Sequence, residues 1–119
     1  MSSVYEQRPW LTLYPEWVKP NLETPFANGV EMFRASARAN PDAPFLHYFE
    51  KTLAFAEVDR ASDALAAAFV ARGLSRGDRV ALYLQNVPQF LIGLLATWKF
   101  GGSVVPLNPM LKSRRSTII

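Results

Sequence analysis

"RVALYLQNVPQFLIGLLATWKFGGSVVPL", residues 79–107, decides how this chain folds. Arg79 to Leu84 is mostly apolar, as a strand covered on both faces would be. Asn86 stands where a helix N-cap belongs, and Pro88 falls in the first turn, where a missing N–H is tolerated. Phe90, Leu91, Leu94, Leu95 and Trp98 then recur at helical spacing, with Ile92 and Phe100 behind them. Such a helix is buried on most sides. Gly101 and Gly102 end it, and Ser103 to Leu107 forms a second apolar strand. Strand, helix and strand in so short a span make a βαβ unit, which predicts parallel strands and a right-handed crossover. The fold class is α/β.

Outward from this unit, toward the N-terminus, Ala56 to Arg72 reads as a helix. Val58, Ala61, Leu65, Ala68 and Phe69 share one face, while Glu57, Asp59, Arg60 and Asp63 lie elsewhere. Gly73 is placed as its left-handed C-terminal cap, followed by the apolar Leu74. Before this helix, Phe45 to Phe49 is a strand, "EKT" a turn and Leu53 to Phe55 a short return strand, together a small hairpin. Residues 30–39 form a short helix on Val30, Phe33 and Ala37, stopped by Asn40-Pro41-Asp42. Residues 1–29 carry Pro9, Pro15, Pro20 and Pro25, which forbid a long helix. With Tyr5, Trp10, Tyr14 and Trp17, they read as an extended arm lying across a folded surface, pinned by its aromatics. The chain thus divides into an arm (1–29), a partial α/β subdomain (30–111) and a polar, basic, frayed tail (112–119).

The 119 residues, half of them apolar, suit one small domain or a piece of a larger one. There is no cysteine and one histidine, so disulfides, thiolate metal sites and histidine clusters are excluded. The net charge of +3 belongs to Lys112, Arg114 and Arg115, because the rest of the chain balances ten basic against ten acidic residues. No helix or strand gathers basic residues on one face, so no nucleic-acid partner is expected. The most apolar run, near Val87 to Trp98, is too short to span a bilayer, and no basic-then-apolar leader opens the chain. A cytoplasmic protein is the expectation.

Several stretches resemble a known family. "RPWLTLYP", "ANPDAPFL", "LAFAEV", "GDRVALYLQN" and "WKFGGSVVPLNP" are similar, in that order, to the N-terminal part of bacterial long-chain fatty acyl-CoA ligases. These belong to the adenylate-forming superfamily, with luciferases and peptide-synthetase adenylation domains. The resemblance runs from about residue 8 to residue 112. It implies a partial N-terminal subdomain, a small β-hairpin plus a βαβ unit. It also implies a family reaction in which fatty acid, ATP and CoA give acyl-CoA, AMP and pyrophosphate through an acyl adenylate. The family uses ATP, Mg2+ and CoA. Its phosphate donors come from a Ser/Thr/Gly-rich loop ending in Pro-Lys-Gly, and its catalytic lysine lies near the far C-terminus. No such loop, adenine motif or metal motif occurs here, so no catalytic, cofactor-binding or metal-binding residue carries over. After "PLNPM" the family continues as a helix, whereas "KSRRSTII" departs from it. The expectation is a truncated ligase, inactive alone, or a non-catalytic chain that complements the remainder of a ligase on a separate polypeptide.

The motifs themselves are structural. In "LAFAEV", Ala54 takes the place of the family's N-cap hydroxyl while Glu57 remains, a half-built capping box that forgoes about 1 kcal/mol. His47 reads as a strand residue paired across the hairpin rather than a general base, with no nucleophile near it in sequence. Asn108 before Pro109 is turn chemistry. Asp59, Asp63 and Asp78 read as solvated surface rather than a metal cluster, and Met32 and Met110 as gap-fillers. Lys112, Arg114 and Arg115 allow at most weak peripheral contact with an anionic membrane, about 1 kcal/mol each. A self-contained nucleotide-binding domain fits poorly, because the first strand-to-helix turn, "LQNVPQ", has no glycine-rich phosphate loop.

Overall fold

The computed structural model describes residues 3–110. The basic tail of Lys112, Arg114 and Arg115 lies outside the described residues. The expected α/β organisation is present: a small antiparallel hairpin, three packed helices and a parallel strand pair.

Helix α1 (Val4–Gln7) is a single turn, and a 3₁₀ turn (Pro9–Leu13) follows. The expectation of an extended arm is therefore corrected at its start. Ser3 accepts from the Tyr5 N–H and Glu6 reaches back to the Ser3 N–H, which nucleates α1 despite the prolines downstream. Tyr5 and Trp17 do not pin the arm, being 81% and 84% exposed, whereas Trp10 is half-buried with its ring 6.0 Å from that of Tyr5. The arm closes on itself instead, with the Arg8 guanidinium donating to Asn21 Oδ1 at 2.7 Å and to the Pro20 carbonyl at 2.6 Å.

Helix α2 (Gly29–Ala39) starts at Asn28, whose Oδ1 accepts from the Glu31 N–H at 2.9 Å. Strands β1 (Pro44–Tyr48) and β2 (Lys51–Ala54) pair antiparallel, with His47 opposite Thr52. The turn sits at Phe49 and Glu50, earlier than "EKT" predicted, and the return strand ends before Phe55. Phe49 takes the turn at a φ of 51°, a left-handed conformation costly for a bulky residue and invisible to turn statistics. Helix α3 (Phe55–Ala71) ends as expected at Gly73, φ 95°. There the Gly73 N–H donates to Val70 O and the Leu74 N–H to Phe69 O, a Schellman closure.

Strand β3 (Arg79–Tyr83), helix α4 (Pro88–Lys99) and strand β4 (Ser103–Leu107) form the βαβ unit. The strands are parallel, with Arg79 opposite Ser103 and Tyr83 opposite Leu107. Two details differ from expectation. Val87, not Asn86, occupies the cap position of α4, and no side chain caps it; Pro88 still opens the helix. And β3 is covered on one face only: Leu82 is buried, while Ala81 and Tyr83 on the opposite face are exposed. Leu82 meets α4 closely: its Cδ2 lies 3.0 Å from the position a Gly93 Cβ would take, so a larger residue there requires Leu82 to shift.

The core joins the two units. Phe33 from α2, Val58 from α3 and Leu95 from α4 are buried together with Ala37. Phe45 from β1 and Phe55 from α3 pack on Phe33 in an aromatic trio, with ring centroids 4.6 to 5.9 Å apart. Met32 and Met110 fill no gap; both are exposed.

Candidate functional site

Helix α4 is apolar along most of its length, yet its last residue is Lys99. The Lys99 side chain is only 2% exposed. A buried ammonium is costly unless it is paired and hydrogen-bonded. Helix α3 supplies the partners at spacings of three and four residues, which bring side chains to one face. Lys99 Nζ donates to Asp59 Oδ1 at 2.6 Å, Asp63 Oδ1 at 2.7 Å, Ser62 Oγ at 2.9 Å and the Asp59 carbonyl at 3.0 Å. The buried Ser62 hydroxyl is oriented for this: it donates to Val58 O at 2.7 Å and turns a lone pair to the lysine. Phe33 closes the other side, its ring centroid 5.8 Å from Nζ, and Arg34 lies 3.6 Å from Asp63 Oδ1.

Asp63 is exposed, as the reading of a solvated face requires, but Asp59 is half-buried, which corrects that reading for it. Both keep part of their surface in water, at 31% and 55%, but their carboxylates are engaged by one buried cation. Sequence reasoning missed Lys99 altogether. The available signal was a single cation within an apolar helix, with one Asp-x-x-Ser-Asp run, residues 59–63, on the helix before it. Chemically the ammonium is saturated: four acceptors meet its three N–H bonds, leaving no proton of Lys99 for a substrate.

The other candidates also turn inward. His47 Nδ1 and Thr52 Oγ1 are 2.9 Å apart, bonded across the hairpin as a paired strand residue should be. Asn108 Oδ1 accepts from the Met110 N–H at 2.9 Å, the turn chemistry expected of it. Asp78 lies apart from Asp59 and Asp63, accepting from the Ser75 N–H at 2.7 Å and closing the turn before β3. Among the described residues, no three His, Cys, Asp or Glu side chains gather as metal ligands, and no buried polar side-chain atom lacks a partner. An open cleft of about 630 Å³ runs between the start of α2 and the end of α4, lined in part by Arg34, Arg76 and Trp98. Among the described residues, no helix is long and apolar enough to cross a membrane.

The hairpin, helix layer and parallel pair together define an N-terminal α/β subdomain of the adenylate-forming class. The chain belongs to the AMP-binding enzyme family, whose description matches residues 33–119. It is 35% identical over 104 residues to a long-chain-fatty-acid–CoA ligase of Bacillus subtilis, covering 87% of this chain and 19% of the ligase. It is 35% identical over 83 residues to surfactin synthase subunit 3 of the same organism, covering 70% of this chain and 6% of that protein. Among solved structures, the N-terminal subdomain of Klebsiella oxytoca NpsA superposes with a TM-score of 0.72 at 27% identity, over 75% of this chain and 23% of that one. The chain thus spans about a fifth of the length of the fatty-acid–CoA ligase it matches.

Proposed function

We propose that these residues are the N-terminal scaffold of a ligase that activates a long-chain fatty acid with ATP and passes it to CoA in the cytoplasm. The chemistry would reside on parts of the ligase beyond these residues. One observation carries the scaffold reading: the side chains best suited to chemistry, Lys99, Asp59, Asp63, Asp78, His47 and Asn108, hold one another, a neighbouring side chain or the backbone. The fatty-acid assignment is supported by coverage. The ligases of Bacillus subtilis and Yersinia pestis match 87% and 91% of this chain, against 70% for the surfactin synthase subunit and 82% for a dimodular nonribosomal peptide synthase of Bacillus subtilis.

On this reading ATP, Mg2+ and CoA bind elsewhere than on these residues. ATP–pyrophosphate exchange tests it with the purified chain and a panel of fatty and amino acids. No exchange above the no-acid blank is expected; turnover with any acid overturns the scaffold reading. The complete ligase that contains these residues should exchange with long-chain fatty acids, and a preference for amino acids overturns the substrate class.

Surface area supports a scaffold that packs on the rest of a ligase, whether joined to it or, as a second reading, carried on a separate polypeptide. The chain exposes 9455 Å², against about 6,500 Å² for a compact monomer of its mass.

A further inference from the structure

The hairpin turns one face toward the start of α4. Leu46 pairs with Leu53 and Tyr48 with Lys51, and residues opposite each other in a hairpin share a face. Phe49, at a φ of 51°, belongs to the two-residue turn that brings Lys51 back beside Tyr48.

Two adjoining clefts, of about 370 and 160 Å³, lie between this face and α4. Leu46, Phe90 and Leu91 line the larger, Leu53 and Ile92 line the smaller, and Tyr48 and Pro88 line both. Apart from Tyr48 these side chains are half-buried, so the two clefts make one apolar groove that stays open to solvent. Leu46, Leu53 and Ile92 also pack against the core, which fixes the floor of the groove. The polar residues of the smaller cleft are Lys51 and Gln89. No Asp or Glu lines either cleft. Among the described residues, no carboxylate pairs with Lys51.

An apolar groove that ends at an ammonium without a counter-ion suits a molecule with a long apolar body and one anionic end. A neutral chain gains nothing from Lys51, and a cationic one is repelled by it. We propose that this groove binds a monomeric fatty acid, with its chain lying over Tyr48 and Pro88 and its carboxylate accepting from Lys51 and Gln89. The charge and shape of the ligand follow from the groove; that the anion is a fatty acid rests on the substrate class proposed above.

Equilibrium dialysis of labelled laurate, below the concentration at which it forms micelles, tests the proposal on the 119-residue chain. One saturable site per chain is expected. Dodecanol, followed in the same way, should bind more weakly than laurate. Lys51→Gln should weaken laurate about fivefold, the upper end of what an exposed ion pair supplies, and leave dodecanol unchanged. Tyr48→Ser removes the wall common to both clefts and should weaken both ligands at least ~10-fold. Val70→Ser alters an exposed apolar residue that lines neither cleft and should change neither ligand. Location is read by amine acylation and mass spectrometry: laurate should slow the tagging of Lys51 and not of Lys19, in the chain and in the complete ligase that contains these residues. Uptake that does not saturate, laurate binding indifferent to Lys51→Gln, or equal tagging of Lys51 with and without laurate overturns the groove. So does a Lys51 already closed to the reagent in the complete ligase before laurate is added, because a protein segment then fills the groove. Each of these results leaves the scaffold reading standing. A complete ligase that prefers amino acids in ATP–pyrophosphate exchange overturns the substrate class and leaves the laurate measurements as they are.

Discussion

Removing the cation at position 99 and removing its anions are unequal changes. Lys99 is buried, while Asp59 and Asp63 each keep a path to water. Lys99→Met leaves two carboxylates that can rehydrate where they stand and fills the space with an apolar chain of similar length, so its cost should be about 1–2 kcal/mol. Asp59→Asn with Asp63→Asn leaves a buried ammonium without compensating charge and should cost about 3–5 kcal/mol. Urea unfolding of the two variants checks the order, and an equal or reversed order would show that the lysine is hydrated. The sequence displayed the three residues but not their meeting. Asp59 and Asp63 lie forty and thirty-six positions from Lys99, and only the packing of α3 on α4 joins them.

At the scale of elements, local chemistry set most of what could be read. Gly73 and Gly101 mark two helix ends because a left-handed residue must follow the last turn, and both take it, at φ 95° and 83°. The apolar run and its glycines likewise announced the parallel pair. What stayed hidden depends on a neighbour or on a residue against type, such as Phe49 turning the hairpin and the single covered face of β3. The start of α3 offers a direct test. Glu57 Oε2 accepts from the Ala54 N–H at 2.8 Å, but Ala54 has no side-chain acceptor to give back. Ala54→Ser should complete the box and raise stability by about 1 kcal/mol, read as a shift in the urea midpoint with unchanged slope.

As a whole molecule the chain is stretched. Its radius of gyration is 19.0 Å, against about 13–14 Å for a compact domain of this length. Among the described residues, the buried apolar side chains are few, and three of them are alanines: Phe33, Ala37, Val58, Ala66, Leu82, Leu95 and Ala96. Exposed Tyr83, Leu84, Val70 and Trp98 lie on the same α/β body. Such a surface invites association. Sedimentation velocity of the pure chain at micromolar concentration should show species larger than a monomer that grow with concentration. A monomer that unfolds in one cooperative step would mean the core suffices alone.

The sealed amine of Lys99 has a practical corollary. An activated ester that acylates exposed amines should tag Lys19 and Lys51, which face solvent, and spare Lys99 as long as α3 and α4 stay together. Mass spectrometry of that one position would then act as a clock for helix separation, running slowly in any assembly that holds the pair closed.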